Sequence, residues 1–386
     1  MSIEDLLQGF ENSLARTGFS GWDPFDGLNS GLLKNNPVYK SKIFRLGWIQ
    51  FFKRCPVNFR KIALVSKGYN SKSLSLVIRG MVKRFCQGKI KNHLKQALTL
   101  AQVILSQRAK DRSYFCAGYP FPWQARAFYT DAYTPNMVVS TFAGQAFLDL
   151  FKVTKDEKWL ELVMEIGEFI KEELILWEST DQMCFGYIPG EPVIIHNANL
   201  LGAALFGRLF SLCGEERYGK YAQKSVAYTV HSQRPDGSWF YGEASHHQWV
   251  DNFHTGFNLV AIKNVQDHLS TQKWQTALDA GFRFHVNRHF LPDMTPKYYS
   301  HKIYPLDIHN FAQGIITFLV FNRPRPARQL YEKAMDILWN EKGGYFNYQK
   351  NRWYTNKINY IRWSQAWMYY ALAKMESPPA QDDERT

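Results

Sequence analysis

The chain has 386 residues, with 47 Lys+Arg against 34 Asp+Glu, a formal net charge of +13 and an aromatic content of 16%. No apolar run approaches the ~18 residues of a membrane span, and the N-terminus lacks the basic-then-apolar pattern of a secretion signal. The five cysteines are scattered without a C-x-x-C pair, which is typical of free thiols in a reducing compartment. These features argue against a membrane-spanning or disulfide-linked protein and predict a cytoplasmic one.

The N-terminal part of the chain is strongly basic. Residues 27–110 contain 18 Lys+Arg and no acidic residue, so this basic segment carries the whole positive excess. Residues 2–17, 41–54, 71–86 and 90–108 have the periodicity of helices. A basic face attracts anionic glycans, anionic membrane surfaces or nucleic acid. Because no zinc-finger, RNP or helix-turn-helix signature accompanies the charge, nucleic acid is not an expected partner.

The rest of the chain repeats one pattern five times. Each copy has a loop rich in glycine and aromatic residues, then an apolar helix, then a more amphipathic helix. The loops and apolar helices fall within residues 118–151, 186–210, 237–262, 298–321 and 343–375. Alignment of the copies pairs Asn136, Asn197, Asn252, Asn310 and Trp363, with spacings of 61, 55, 58 and 53 residues.

The alternation of the two helix types predicts the fold. Helices that are apolar on all sides are buried, whereas amphipathic helices such as 156–174 and 216–233 cover the outside. About twelve helices in this order close into an all-α (α/α)6 toroid, with short β segments in its loops, as a single domain over residues 1–376. The loops that lead from outer to inner helices then share one end, the mouth. The polar tail at 377–386 is expected to be disordered.

Several motifs resemble known protein families. "GWDPFDGLNS" (21–30), "CPVNFRKIALVSKG" (55–68), "HNANLLGAAL" (196–205) and "QWVDNFHTGFNL" (248–259) resemble the VpsJ-type proteins of bacterial exopolysaccharide and lipopolysaccharide clusters. The repeats resemble the six-hairpin glycosidase superfamily of hydrolases, lyases and sugar epimerases. These resemblances imply a toroid that acts in a glycan context, and they leave the reaction open. "QRPDGSW" (233–239) matches an element of triterpene cyclases, but the acidic signatures of that chemistry are missing, so terpene cyclisation is not predicted.

Ionisable residues recur where the apolar helices begin. Asp251 precedes the third apolar helix, and His254 follows one turn later on the same face. Asp is also a preferred helix cap and a lone His is more often structural, so both interpretations stay open. If Asp251 acts directly, the role of base suits it better, because capping favours the ionised form. The residues predicted to carry acid–base chemistry are Asp251, His254, His196, Asp307, His309 and Glu243.

Aromatic and amide side chains in the same loops suit sugar binding. Flat aromatic faces complement the C–H faces of sugars, and an arginine can clamp a carboxylate or phosphate. The residues predicted to bind substrate are Trp239, Tyr241, Trp249, Arg362, Trp363, Trp123, Tyr187 and Asn197. The adjacent His246 and His247 lack a metal-binding motif, and phosphate loops are missing, so neither a metal site nor a cofactor is predicted.

Two hypotheses for function follow. The first is an enzyme of bacterial exopolysaccharide or lipopolysaccharide biosynthesis that acts on a glycan or lipid-linked oligosaccharide, including an anionic one. Two carboxyl groups ~6.5–9.5 Å apart would suit an inverting hydrolase, paired histidines would suit an epimerase, and elimination by a lyase also remains open. The alternative is a non-catalytic glycan-binding or scaffold protein, docked by the basic segment at the inner membrane or on another polysaccharide-assembly protein. The recurrent histidines beside carboxylates favour the enzyme.

Overall fold

The computed structural model describes residues 3–33, 36–88, 90, 92–126 and 128–376, and the predicted disordered tail at 377–386 lies outside them. Its helices, in chain order, are α1 (Ile3–Arg16), α2 (Lys42–Arg54), α3 (Ser71–Cys86), α4 (His93–Ser106), α5 (Met137–Thr154), α6 (Lys158–Glu173), α7 (His196–Cys213), α8 (Glu216–His231), α9 (Asn252–His268), α10 (Gln275–His289), α11 (Ile308–Val320), α12 (Pro324–Leu338) and α13 (Ala366–Glu376). A π-helical turn, Ile361–Gln365, leads into α13. No helix in these ranges is long and apolar enough to cross a membrane.

Six of these helices form a closed inner ring. Helices α3, α5, α7, α9, α11 and α13 each pack against the next, and α13 packs against α3. The outer partners are α4, α6, α8, α10 and α12, and the sixth outer helix is α1, which packs against α13. The predicted (α/α)6 toroid is therefore confirmed, and the N-terminal helix completes its last pair.

Burial explains why the inner helices occupy the ring. In α11 every residue from Ile308 to Phe318 is buried, whereas α12 buries one face only. Small residues allow the two layers to approach closely, since a Cβ at Gly314 would lie 2.8 Å from the Leu330 side chain. The sequence pattern of apolar and amphipathic helices thus determines which layer each helix joins.

The short strands all lie in the loops at the mouth end. They form antiparallel pairs β1 (Trp123–Gln124) with β2 (Tyr129–Thr130), β3 (Ile175–Glu178) with β4 (Met183–Phe185) and β6 (Trp339–Asn340) with β7 (Tyr345–Phe346), and a three-stranded sheet of β5 (Leu306–Asp307), β8 (Gln349–Lys350) and β9 (Thr355–Asn356) in the order β5-β8-β9. These pairings brace the loops that carry the candidate site.

Helix α2 does not belong to the ring. It packs against the short helical turns Asp26–Asn29 and Pro37–Lys40 and against β1, at the mouth. A buried ion cluster holds this region, because the Asp26 carboxylate accepts from Arg60 Nε at 2.6 Å and also pairs with Arg362 near α13. Part of the basic segment therefore covers the mouth of the toroid.

Candidate active site

A cavity of about 530 Å³ opens at the mouth, within the usual range of small-molecule sites. All six inner helices contribute residues from their first turns or from the residues just before them, and α2 contributes one face from above. Aromatic rings and ionisable groups make up much of the wall, as the topology predicts. The polar, charged and aromatic residues that line the cavity include Asp23, Lys53, Arg54, Lys72, Trp123, Tyr187, Asn197, Tyr241, Trp249, Asp251, Phe253, His254, Phe257, Asp307, His309 and Trp363.

Asp251 and His254 form a hydrogen-bonded dyad on this wall. Asp251 caps α9, because its Oδ1 accepts the backbone N–H of His254 at 2.9 Å. Its Oδ2 accepts from Nδ1 of the His254 ring at 2.7 Å and from the indole N–H of Trp249 at 3.0 Å. Since an ionised carboxylate can only accept, the Nδ1 of His254 carries the proton. The other ring nitrogen, Nε2, has no hydrogen bond to any described residue, so its lone pair is available to a ligand.

His309 is the second histidine of the cavity. It lies in the first turn of α11 with 1% of its surface exposed, and neither ring nitrogen has a partner among the described residues. Burial first, and the nearby charges of Lys72 and His254 second, hold its pKa well below the usual range, so the ring is neutral at pH 7. A neutral imidazole offers one N–H and one lone pair to a ligand.

One aromatic ring separates the two histidines. The Phe253 ring centroid lies 4.1 Å from that of His254 and 4.5 Å from that of His309. Phe257 also contacts both rings, at 6.3 and 5.7 Å. The two imidazoles therefore face the same cavity from neighbouring inner helices, at a separation that a single sugar ring can bridge.

The carboxyl groups of the cavity are committed to local hydrogen bonds. Asp307 caps α11 through the His309 N–H at 2.9 Å and accepts from Gln349 Nε2 at 2.6 Å. Asp23 accepts from the Phe25 N–H at 3.0 Å and from Asn70 Nδ2 at 3.4 Å. Burial raises the pKa of each of these two acids to about 6. Neither carboxyl is a free group aimed at a substrate.

Aromatic residues form a band around the cavity. Tyr241 stacks on Trp249 with ring centroids 4.6 Å apart and an interplanar angle of 15°, and it also contacts His254. Trp123 and Tyr187 contact each other at 5.8 Å, and Trp363 contacts His309 at 4.9 Å. The structure thus brings five of the predicted stacking residues to one cavity. Asn197 joins them, with its buried carbonyl oxygen unpartnered within the described ranges.

Four residues predicted for the site lie off the cavity wall. His196 and Glu243 pair with each other at 3.0 Å on the far side of the α7 start, where the His196 ring stacks on Tyr228. The Trp239 side chain is buried behind the loop, its indole N–H donating to the Thr229 carbonyl at 2.8 Å. The Arg362 guanidinium forms an ion pair with Asp26 and does not line the cavity. These side chains serve packing and ion pairing because their loops turn them away from the mouth.

The triterpene-cyclase-like element is structural here. Gln233 donates from Nε2 to the carbonyls of Gly237 and Ala277, both at 2.9 Å. Trp239 packs over Gly281, where a Cβ would lie 2.6 Å from the ring. This element therefore ties α8 to α10 and explains why its tryptophan is not in the site.

Other cavity residues were not predicted from the sequence. Lys53 and Arg54 reach the wall from α2, and Lys72 reaches it from the first turn of α3. In the sequence Lys53 and Arg54 are indistinguishable from the surrounding basic residues. One signal was present: Lys72 is a cation in the first turn of an inner helix, where the helix dipole disfavours positive charge. In the described part of the chain, no three His, Cys, Asp or Glu side chains are grouped so as to hold a metal ion.

Comparison with known proteins identifies the fold. No family model and no curated protein matches the sequence. Solved structures match over most of the chain: a protein from Listeria innocua (10% identity, TM-score 0.63, 97% of each chain), the cellobiose 2-epimerase from Bacillus thermoamylovorans (9%, 0.62, 80% of this chain and 87% of that one) and a GH76 α-mannanase from Bacteroides thetaiotaomicron (9%, 0.59, 81% and 88%). At these identities the likeness establishes the (α/α)6 toroid fold and no more.

Proposed function

We propose that the protein is a sugar-acting enzyme that moves a proton at a sugar carbon, and that epimerisation is its reaction. The observation that carries the proposal is the pair of histidines facing one aromatic-lined cavity. His254 is oriented by the Asp251 carboxylate, and His309 is buried with both ring nitrogens unpartnered. Two bases on opposite sides of a substrate are what inversion at a carbon requires.

In the proposed mechanism each of these groups has a role. His254 Nε2 removes a proton from the carbon next to the aldehyde of an open-chain sugar, and the electron pair moves into an enolate. The Asp251 carboxylate stabilises the imidazolium that forms, so Asp251 is a positioning residue and not the base itself. His309 takes up a proton from solvent as the anionic enolate forms beside it, and it returns that proton to the opposite face of the same carbon. Proton exchange with solvent then restores the two imidazoles.

Hydrolysis is less well supported, because it needs carboxyl groups that are free to act. An inverting hydrolase uses one carboxylic acid and one carboxylate that both face the scissile bond. Here Asp251, Asp307 and Asp23 each have both oxygens engaged by backbone or side-chain donors. Elimination begins with the same proton abstraction and is distinguished from epimerisation by its product.

The proposed setting is cytoplasmic synthesis of a bacterial exopolysaccharide or lipopolysaccharide. The motifs that resemble VpsJ-type proteins contain several of the cavity residues described above, which supports this setting. "QWVDNFHTGFNL" contains Trp249, Asp251 and His254, and "HNANLLGAAL" contains Asn197. "GWDPFDGLNS" contains the cavity residue Asp23 and the ion-cluster residue Asp26. The substrate would then be a glycan or its lipid-linked precursor.

A second property, docking on an anionic membrane, is favoured by one observation. Exposed apolar side chains are concentrated in and beside the basic segment: Ile43 is 84% exposed, Ile62 is 72% exposed and Trp353 is 83% exposed. Tyr354, next to Trp353, donates to the Arg54 carbonyl at 3.1 Å, so this loop lies against the end of α2. Exposed apolar groups among lysines and arginines are typical of interfacial anchors. Co-sedimentation with anionic but not neutral vesicles, weakened by Ile43→Ser with Trp353→Ser, is expected, and no such preference would contradict docking.

Proton NMR in D2O tests the reaction. The purified protein is mixed with reducing oligosaccharides from bacterial capsules and lipopolysaccharides. Loss of one ring-proton signal at unchanged chain length is the expected result. Vinylic signals would indicate a lyase, new reducing ends would indicate a hydrolase, and line broadening alone would favour the non-catalytic glycan-binding scaffold. His254→Asn should abolish the exchange, whereas His231→Asn, at the exposed end of α8, should not.

A further inference from the structure

Lys72 places an ammonium group on the cavity wall without a counter-ion. Its side chain is 7% exposed, and its Nζ makes neither a salt bridge nor a hydrogen bond within the described ranges. Three aromatic faces surround it, with Nζ at 4.8 Å from the ring centroid of Trp363, 5.3 Å from that of Phe142 and 5.4 Å from that of Trp367. The rings attract the cation, but they leave its hydrogen-bond donors unused.

The position of Lys72 is unfavourable for a structural lysine. It is the second residue of α3, so the positive end of the helix dipole lies beside it. Burial lowers its pKa to about 8, and the Asp23 charge opposes that shift only in part. Asp23 itself is engaged by Phe25 and Asn70 and forms no ion pair with Lys72. A buried cation kept without an internal partner is typical of a ligand site.

Two more unpaired cations line the same cavity. Lys53 and Arg54 reach it from α2, and neither forms an ion pair among the described residues. Other arginines of the same basic segment are neutralised inside the fold; the pairs are Arg60 with Asp26, Arg79 with Asp149 and Arg84 with Glu11. The unneutralised charge of the segment is thus placed in part around the candidate active site.

We propose that the substrate is an acidic sugar whose carboxylate or phosphate forms an ion pair with Lys72, while Lys53 and Arg54 attract it to the mouth. This inference rests on the proposed function in taking the occupant to be a sugar. The aromatic band receives the C–H face of the ring, and the ammonium donates charge-assisted hydrogen bonds to the anionic group. A neutral sugar offers Lys72 no counter-ion and binds without this ion pair, so the cavity prefers the acidic sugar.

Calorimetric titration with three probes tests the proposal: D-glucuronate, glucose 6-phosphate and D-glucose. The wild type should bind at least one anionic probe about tenfold or more tighter than D-glucose, and the two anionic arms show whether a carboxylate or a phosphate is preferred. Lys72→Met should weaken the preferred anion by about 10- to 100-fold and leave D-glucose unchanged. Lys220→Met, on the exposed face of α8, is the matched control and should change neither.

Two further readouts separate this site from a structural role and from the proposed reaction. The melting temperature of Lys72→Met should equal or exceed that of the wild type, because an unpaired buried cation is removed; a structural lysine would give a fall. His254→Asn should lose deuterium exchange yet keep the anion affinity. In the wild type, added salt should weaken the binding of the anionic probe and leave the binding of D-glucose unchanged. This measurement requires no substitution in the protein. Equal anion affinity in wild type and Lys72→Met, or no anion preference in the wild type, would overturn the proposal.

Discussion

Replacing Asp251 by Asn tests whether this residue acts through His254. The substitution keeps the shape of the side chain and removes its charge. In the wild type, Oδ1 accepts the His254 N–H, while Oδ2 accepts from both His254 Nδ1 and Trp249 Nε1. An amide has one acceptor oxygen, so it can satisfy the helix cap or the two ring donors, but not both sets.

Either orientation of the amide has a calculable effect. If its oxygen keeps the cap, its NH2 faces the His254 ring, which must then accept at Nδ1 and carry its proton on Nε2, where the lone pair is needed. If its oxygen serves the rings, the cap is lost, and stability falls by about 1 kcal/mol. Without the carboxylate, the imidazolium is no longer stabilised. We therefore expect the exchange rate to fall by about 10²- to 10⁴-fold, the range of general acid–base catalysis.

The assay is the rate of deuterium incorporation at saturating substrate, measured beside the unfolding midpoint of each variant. Asp156→Asn is the matched control, since Asp156 also accepts a backbone N–H near a helix start, from Lys158 at 3.2 Å, but lies between α5 and α6 at the opposite end of the toroid. It should leave the rate unchanged. A rate for Asp251→Asn within tenfold of the wild type would refute the dyad.

Three other variants probe the surroundings of the dyad. Trp249→Phe keeps the stacking on Tyr241 but removes the donor to Asp251, so the exchange rate should fall about 2- to 10-fold with little change in KM; an unchanged rate would show that the indole N–H is dispensable. Glu243→Gln breaks the pair with His196 away from the cavity and should leave the rate unchanged; a large loss would restore Glu243 to the site. Asp26→Asn leaves Arg60 and Arg362 buried against a neutral partner and should reduce the free energy of unfolding by about 3–5 kcal/mol, measured by urea titration; a loss below 1 kcal/mol would contradict the role of the ion cluster.

The toroid could be predicted from the sequence because its signals are local. Apolar helices such as α7 and amphipathic helices such as α8 differ in composition, and their alternation determines their layers. The helical segment 71–86 coincides with α3, and 41–54 coincides with α2 within one residue. The positions of α2 and α3 in the fold could not be predicted from the sequence, because only tertiary packing places α3 in the ring and α2 over the mouth.

The site was predictable where a residue's position along an inner helix determines its direction. Asp251 and His254 share one face at a helix start, and the cavity brings them together as that spacing predicts. His196 holds a similar sequence position, yet its ring turns outward to Tyr228 and Glu243. One residue of register changes the direction of a helical side chain by about 100°, which a loop alignment cannot resolve. The proposed role of Lys72 depends on the lack of a counter-ion for its ammonium group among the described residues. Only the folded structure shows which charged side chains lie near it.

The titration of Asp307, the carboxyl group that caps α11 beside His309, gives a further prediction. Burial raises its pKa from 3.8 to about 6, so the native state holds the proton more tightly than the unfolded state. The resulting stability is fully present below pH 4 and is lost as the pH rises to 6, by about 3 kcal/mol at 1.36 kcal/mol per pKa unit. Asp307→Asn keeps the cap on His309, and Gln349 can turn its amide to accept from the new NH2 group. The variant should therefore exceed the wild type in free energy of unfolding at pH 7.5 and match it at pH 4, in urea titrations at both values. An equal loss at both would mean that the ionised carboxylate supports the fold. A gain at pH 7.5 would mean that the chain keeps an unfavourable buried acid beside His309, which selection for stability alone would remove.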